Sequence, residues 1–287
     1  MAKAKYDDLV KRLGRLRPQD FVQWVCPNLK DVQGVSFEDR EFELTHRRVD
    51  ILYQVATKEA GKFFLHVEFQ TQLPVGFPLR LLEYSARIRR EVKRPVKTVV
   101  IFLKNTKAIR ELETVDRCEI GGELINEFHY TKVILPNEPW QALLEKNLPV
   151  LYALVPLSQI AEGEESQALG KAVQRIEEVE DTQLRGELGG ILYLLGGYRY
   201  PTTIRTIVGE KLMQDLMQSE TYREAVEAGE VKGEMKALLM ILIQRFGNIP
   251  KKLQEQLQKT ESIEKLNTLL GSAIACASLD EFKAQMK

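Results

Sequence analysis

The sequence predicts an α/β domain over residues 1–158, followed by an all-α region that occupies the rest of the chain. Two observations predict the α/β domain. Strand patterns run from Phe42 to Gln72 and again through the β-branched run at residues 94–103, and residues 77–92 between them have helical spacing. A third observation predicts the all-α region: the residues after 158 are rich in Glu, Leu, Ala, Lys and Gln, which favour helices.

The elements of the first domain follow in the order helix, strands, helix, strand. Residues 6–26 have helical spacing that is broken by a turn near Pro18. Residues 129–136 indicate a last short strand.

Glycine and proline divide the all-α region. Residues 196–203 interrupt one helical stretch, and Gly247 and Pro250 mark the end of one helix and the start of the next. We therefore expect a helical linker region over residues 159–230 and a small helical domain over residues 231–287.

Composition narrows the class of protein. The chain has 287 residues, 44% of them hydrophobic and 29% charged, which is enough apolar material for a core. Its 41 Lys and Arg balance its 41 Asp and Glu, so any polyanion would have to bind a local basic patch. The three cysteines are far apart, which argues against a disulfide framework or a cysteine-rich zinc site. No apolar run approaches the roughly 20 residues of a membrane span, so we expect a cytoplasmic protein that does not bind membranes.

Residues 49–57 and 62–70 have the pattern of a β-hairpin. Gly61 can adopt the left-handed conformation that closes a three-residue loop at Glu59–Gly61. This loop predicts a register in which one face of the hairpin is wholly apolar. The predicted partners on that face are Ile51 with Phe69, Tyr53 with Val67, and Val55 with Leu65.

The other face of the predicted hairpin holds the polar residues. Its predicted partners are Asp50 with Gln70, Leu52 with Glu68, and Gln54 with His66, which we expect to be an interior histidine. Asp50 and Glu68 would then be diagonal neighbours about 7 Å apart, close enough to hold a small cation such as Mg²⁺ together. Without a cation the two carboxylates would repel each other. The alternative is a half-exposed sheet with an ordinary polar outer face.

At these residues the chain resembles the PD-(D/E)XK nuclease superfamily. The signature of that superfamily is an acid at the start of one strand, acid-x-Lys on the next strand, and a following helix. Asp50 matches the first acid and "EFQ" at residues 68–70 matches the second motif, with Gln70 in place of Lys. The chain is more closely similar to the Rpn/YhgA-like recombination-promoting nucleases, a transposase-like family.

Further segments resemble that family in the same order. "YDDLVKRL" is similar to its opening helix and matches Asp7 to the helix acid, with Asp8 as the competing choice. "FPLRLLEYSARI" matches Arg80 and Tyr84 to the segment after the second motif, and "VLYALVPL" is similar to the end of the nuclease region. The segment from "LLMILIQRFGNIP" to "SLDEF" resembles a helical tail domain common in cyanobacterial members.

The resemblance implies a restriction-endonuclease-like α-β-β-β-α-β core with a mixed sheet, and a Mg²⁺-dependent DNA endonuclease linked to recombination or mobile elements. It implies Asp50, Glu68 and the backbone carbonyl of Phe69 as ligands of Mg²⁺, for which Mn²⁺ can substitute. Asp7 and Gln70 complete the implied catalytic set, although an amide can orient a water molecule or phosphate but cannot act as a base. The alternatives are a transposase-derived DNA-binding protein that has lost cleavage, and a protein-interaction module that acts through its helical tail.

A basic segment follows the second motif in the sequence, and this position favours contact with DNA phosphates. Its members are Arg87, Arg89, Arg90, Lys93 and Arg94, with Arg80 earlier in the same helix. The alternative is a solvated helix end whose positive charges complement the helix dipole. The other expected partner is a second copy of the chain, bound through the helical C-terminal region.

Overall fold

The computed structural model describes residues 3–27, 29, 32–37, 50–260 and 262–286. The chain forms two compact units, the first ending at Ser219 and the second beginning at Glu220. The first unit contains a mixed five-stranded sheet and the second is helical, so the predicted α/β class with a helical C-terminal region is confirmed at this level. The sequence places its breaks near residues 158 and 230 instead, and that three-part division stays a prediction.

The first two helices and the helix after the hairpin lie where the sequence predicts them. Helix α1 spans Lys3–Leu16 and α2 spans Pro18–Val25, so the turn falls at Arg17. Proline is well placed at the first position of α2, because its missing N–H would have no partner within the helix there. Helix α3 spans Phe77–Val92 and begins after Gly76, whose φ of 67° is a left-handed conformation.

The sheet is built from a meander and a parallel extension. The strands are β1 (Val32–Phe37), β2 (Ile51–Thr57), β3 (Gly61–Gln70), β4 (Val96–Phe102), β5 (Val115–Ile120), β6 (Glu123–His129) and β7 (Thr131–Ile134). The sheet order is β1-β2-β3-β4-β7, in which β1, β2 and β3 are antiparallel while β3, β4 and β7 are parallel. Strands β5 and β6 form a separate, largely exposed hairpin. The part of the predicted strand region at residues 42–49 lies outside the described residues.

The predicted register of the β2–β3 hairpin is wrong by two residues. Ile51 pairs with Val67 and Thr57 pairs with Gly61, so the loop is Lys58–Ala60 and Gly61, with a φ of 67°, begins β3. The reason for the error is geometric: a shift of two residues leaves every side chain on the same face, so the hydrophobic pattern does not distinguish the two registers.

Helices cover both faces of the hairpin. Helix α3 packs on the face that includes Leu52 and Phe64. Helix α1 packs on the opposite face, where the hydroxyl of Tyr53 donates a hydrogen bond of 2.8 Å to the carbonyl of Gly14. Gly14 allows this close approach, because a Cβ there would overlap the Cδ1 of Ile51. On the polar face of the hairpin, Leu52, His66 and Glu68 are therefore buried, while Asp50, Gln54 and Gln70 are half-buried.

The remaining helices complete the two units. In the first unit they are α4 (Lys107–Glu111), α5 (Trp140–Glu145), α6 (Pro149–Tyr152), α7 (Glu165–Glu177), α8 (Thr182–Arg199), α9 (Pro201–Ile207) and α10 (Glu210–Gln218). In the second they are α11 (Glu220–Phe246), α12 (Lys251–Leu257), α13 (Ile263–Ala275) and α14 (Leu279–Gln285), packed around a core that includes Leu242, Leu266 and Phe282. Among the described residues, no helix has the length and apolar character needed to cross a membrane.

Candidate functional site

Asp50 and Glu68 meet at one end of the sheet. Asp50 directly precedes β2. Glu68 is the third residue from the end of β3, which ends at Gln70. Since Ile51 pairs with Val67, the next step outward brings Asp50 opposite Glu68. The corrected register therefore makes the two acids direct cross-strand neighbours, about 5 Å apart at their side-chain roots, instead of the predicted diagonal pair.

Both oxygens of Asp50 have protein partners. Oδ2 accepts a hydrogen bond of 2.9 Å from the backbone N–H of Phe69, and Oδ1 lies 2.7 Å from the Nζ of Lys11. The side chain is 13% exposed. Burial and the nearby charge of Glu68 raise the pKa of Asp50 from 3.8 to about 6, although Lys11 and the Phe69 N–H act in the opposite direction. A second positive charge at this place would favour the ionised form of Asp50.

Glu68 is held by its two neighbours along β3. His66 Nε2 lies 3.0 Å from Oε1, and the amide Nε2 of Gln70 donates to Oε2 at 3.3 Å. Residues two apart in a strand point to the same face, so the sequence "HVEFQ" itself places these three side chains together. Glu68 is 3% exposed and His66 is fully buried, as predicted for an interior histidine. Gln70 thus orients the carboxylate of Glu68.

Lys11 is a site residue that the sequence reasoning missed. It lies on α1 one turn after Asp7, and its Nζ is 2.7 Å from Asp7 Oδ2 as well as from Asp50 Oδ1. Burial opposes its charge, but Asp50 and Asp7 together raise the pKa of Lys11 to about 12. Asp7 and Lys11 have the spacing of a common i, i+4 ion pair on a helix, and this spacing does not indicate the additional contact with Asp50.

Asp7 reaches the site through Lys11. Its Oδ2 contacts the ammonium group, while its buried Oδ1 has no hydrogen-bond partner among the described residues. Asp8, the competing choice for the helix acid, is exposed. The structure therefore brings Asp7, and not Asp8, towards Asp50.

Arg80 and Tyr84 pack above His66. The rings of Tyr84 and His66 are edge to face with centroids 6.0 Å apart, and the guanidinium carbon of Arg80 lies 5.9 Å from the Tyr84 centroid and 4.9 Å from that of Phe77. On α3 and the strands β3 and β4, three buried polar atoms have no hydrogen-bond partner within the described part of the chain. They are His66 Nδ1, Arg80 Nε and the hydroxyl of Thr98.

The basic segment follows residues 68–70 in the sequence but does not lie beside the carboxylates, and its contact with DNA stays a prediction. Helix α3 connects the parallel strands β3 and β4 and therefore runs back along the sheet. Its last turn packs near Phe64, close to the start of β3. Phe64 pairs there with Val96, and its backbone N–H donates a hydrogen bond to the carbonyl of Pro95. Arg90 lies about 15 Å along the helix axis from Arg80, at 1.5 Å per residue. Arg89, Arg90, Lys93 and Arg94 are exposed at the opposite end of β3 from Glu68, and Arg87 pairs with Glu83.

The donor set can be tested for its fit to a hard cation. The described residues contain no cluster of three or more His, Cys, Asp or Glu arranged to hold a metal ion. The four oxygens of Asp50 and Glu68 each have one partner, and a carboxylate oxygen can accept a second interaction. Two facing carboxylates, one of them with a raised pKa, suit a small oxygen-binding cation such as Mg²⁺.

Comparisons of the chain with protein-family models, with curated proteins and with solved structures found no match.

Proposed function

We propose that this chain is a Mg²⁺-dependent DNA endonuclease built on a restriction-endonuclease-like core. The observation that supports it most is the approach of Asp50 and Glu68 at one end of the sheet, where burial and the charge of Glu68 raise the pKa of Asp50. A buried pair of like charges is costly unless a cation or a proton compensates it. A divalent cation used in catalysis would compensate the charges of these two carboxylates.

Asp50, Glu68 and the carbonyl of Phe69 would hold the cation. In an antiparallel ladder, the N–H and C=O of one residue point to the same neighbouring strand. The N–H of Phe69 points at Asp50, so its carbonyl faces the same side. When bound there, Mg²⁺ would polarise a phosphate and lower the pKa of a water molecule.

The other residues would keep the carboxylates in place. His66 and Gln70 contact opposite oxygens of Glu68 and so fix the plane of its carboxylate. The Phe69 N–H does the same for Oδ2 of Asp50. These contacts are the kind of outer support that usually tunes a metal site by 10- to 100-fold.

The wider setting is part of the proposal. The resemblance to recombination-promoting nucleases favours DNA as the substrate, a link to mobile elements, and a cytoplasmic location. The exposed arginines at the far end of α3 would contact DNA phosphates at a distance from the cleaved bond, and the helical C-terminal region would be the surface for self-association.

A cleavage assay tests the proposal. With supercoiled plasmid and Mg²⁺ or Mn²⁺, the wild-type chain should nick or linearise the DNA, and Asp50→Asn should lower the rate at least about a hundredfold, since it removes a metal ligand. Asp8→Asn is the matched control, because Asp8 is an exposed acid on the same helix as Asp7. Equal cleavage by wild type and Asp50→Asn, or no cleavage by either, would refute the proposal.

A DNA-binding protein without cleavage is the second candidate. Gln70 carries no charge, and Lys11 already compensates Asp50 in the absence of a metal ion, which favours this reading. Binding of the same DNA with equal affinity with and without divalent cation, together with no cleavage, would select it.

A further inference from the structure

Lys11 brings a positive charge to the site from outside the strands that carry the proposed metal ligands. Its ammonium group contacts Asp7 and Asp50 at 2.7 Å each, and its side chain is 23% exposed. An ammonium group has three donors, and only two are directed at these carboxylates. Among the described residues only Asp7 and Asp50 contact this ammonium group, so its third N–H can donate to a group that enters from solvent.

The position of this donor relative to Asp50 is fixed from two sides. Tyr53 bonds to the carbonyl of Gly14, which anchors α1 on the sheet one turn beyond Lys11. Asp7 holds the ammonium group from the preceding turn of the same helix. The long lysine side chain therefore has a defined place beside the carboxylate, instead of the freedom of a surface lysine.

The substrate of the proposed reaction is negatively charged at the bond that breaks. A phosphate that approaches a cation held by Asp50 and Glu68 also approaches the ammonium group held by Asp50. Charge on the phosphate oxygens is best stabilised by fixed donors in a partly dry site. Gln70 cannot supply charge there, because its amide is neutral and contacts Glu68.

We propose that Lys11 is a catalytic residue whose third N–H binds a non-bridging phosphate oxygen of DNA while the other two hold Asp7 and Asp50. This proposal rests on the endonuclease function proposed above. It has a second consequence, since Lys11 and a bound divalent cation share Asp50 and repel each other. Lys11 should therefore weaken cation binding while it accelerates cleavage.

Two variants separate these effects. Lys11→Met keeps an unbranched apolar stem and removes the charge, and Lys11→Arg keeps the charge. Mn²⁺ binding is measured by calorimetry without DNA, and cleavage of supercoiled plasmid is measured in single turnovers at saturating Mn²⁺. We expect Lys11→Met to bind Mn²⁺ about fivefold more tightly and to cleave about a hundredfold more slowly, while Lys11→Arg retains most of the rate.

The outcomes distinguish this proposal from the function on which it rests. If wild type cleaves, Asp50→Asn does not, and Lys11→Met cleaves at the wild-type rate, the role of Lys11 is refuted and the endonuclease stands. If Lys11→Met is slow but binds Mn²⁺ more weakly, Lys11 only positions Asp50, and the proposal is also refuted. If wild type neither binds Mn²⁺ nor cleaves, both proposals fail.

A folding control and a second pair of variants keep the test decisive. Urea unfolding and circular dichroism should show that Lys11→Met is folded at the assay temperature. If it is not, Gln70→Lys is added to it, because this residue contacts Glu68 and can return a positive charge to the site. Recovery of cleavage in the double variant above that of Asp50→Asn supports the need for an ammonium group, and no recovery in a folded double variant counts against it.

Discussion

The two ends of the sheet beneath α3 differ in how their charges are held. At the carboxylate end, Asp50 and Glu68 are largely buried and all of their oxygens have partners. At the basic end, Arg89, Arg90 and Arg94 are exposed on or just after the last turn of the helix. The first end is organised by contacts between elements far apart in sequence, and the second by a single short segment.

This difference shows which properties depend on the fold. The geometry of the carboxylates needs α1, β2 and β3 to be in place together, so small changes in packing should affect it. The basic end needs only the exposed side chains of one segment, so it should tolerate such changes and respond to salt. Five predictions test this separation, beginning with the largest expected effect.

Removal of charge at the basic end should affect DNA affinity and leave the chemistry unchanged. If Arg89, Arg90 and Arg94 each contact a phosphate, changing all three to Gln should make the negative slope of log affinity against log salt less steep by about 2.7. Binding should weaken several hundredfold near 0.1 M salt. Filter binding over a range of salt concentrations measures the slope. The cleavage rate at saturating DNA should stay within about twofold.

The matched control for this variant lies in the second unit. Changing the exposed residues Lys251, Lys252 and Lys259 to Gln removes the same number of charges. An equal loss of affinity in both triple variants would mean that net charge matters and that the basic end is not a specific contact surface.

Asp50 should make the stability of the folded chain fall as pH rises. Its pKa is 3.8 before folding and about 6 in the folded chain, so the folded state holds the proton more tightly. Between pH 4 and pH 7 the free energy of unfolding of wild type should fall by roughly 2 kcal/mol relative to Asp50→Asn. Urea unfolding of both proteins at several pH values measures this difference.

Divalent cation should reverse that loss. Above pH 6 the ionised pair can bind Mg²⁺, and saturating Mg²⁺ should then stabilise wild type but not Asp50→Asn. The same addition at pH 4 should have little effect, because Asp50 holds its proton there. A pH-independent difference between wild type and Asp50→Asn would show that Asp50 is not under the strain of a neighbouring charge.

Loss of the His66 contact should loosen Glu68 without removing a ligand. His66→Phe keeps a ring against Tyr84 but leaves Oε1 of Glu68 without its partner. We expect Mn²⁺ affinity to fall about 10-fold. His66→Gln should restore part of it, since its amide can reach the position of the histidine Nε2. Equal Mn²⁺ affinity in wild type and His66→Phe would exclude a positioning role.

The smallest effect is expected from the contact between α1 and the sheet. In Gly14→Ala the new methyl group meets the Cδ1 of Ile51 and comes within 2.9 Å of the Tyr53 hydroxyl. Because Ile51 can give way at the end of its side chain, the free energy of unfolding should fall by only about 1 kcal/mol. Cleavage should decrease while the salt slope of DNA binding stays that of wild type. A change in the slope would contradict the independence of the two ends.

Much of the fold and part of the site follow from local patterns. The period of two in "HVEFQ" groups His66, Glu68 and Gln70 on one face, and helical spacing predicts α3 to its last residue. These local patterns could not predict the hairpin register, because the predicted and observed pairings both keep Ile51 and Val67 on the apolar face.

Two features of the site needed the arrangement of distant elements. Lys11 joins Asp50 only because α1 docks through Gly14 onto β2, and no sequence spacing indicates that contact. The place of the basic segment depends on the direction of α3. A helix that connects two parallel strands must return along the sheet, so residues that follow a motif by some 20 positions lie at the other end of the strand.

In the β2–β3 hairpin, it matters whether the loop changes in length by an even or an odd number of residues. Since a shift of two residues leaves both faces intact, insertion or deletion of two residues in Lys58–Ala60 should preserve the sorting of buried and charged side chains. A single insertion that moved the register would turn Glu68 towards the layer of α1 and Phe69 towards α3. Homologous chains with a functional site should therefore vary in this loop by even numbers of residues, or absorb an odd one in a bulge.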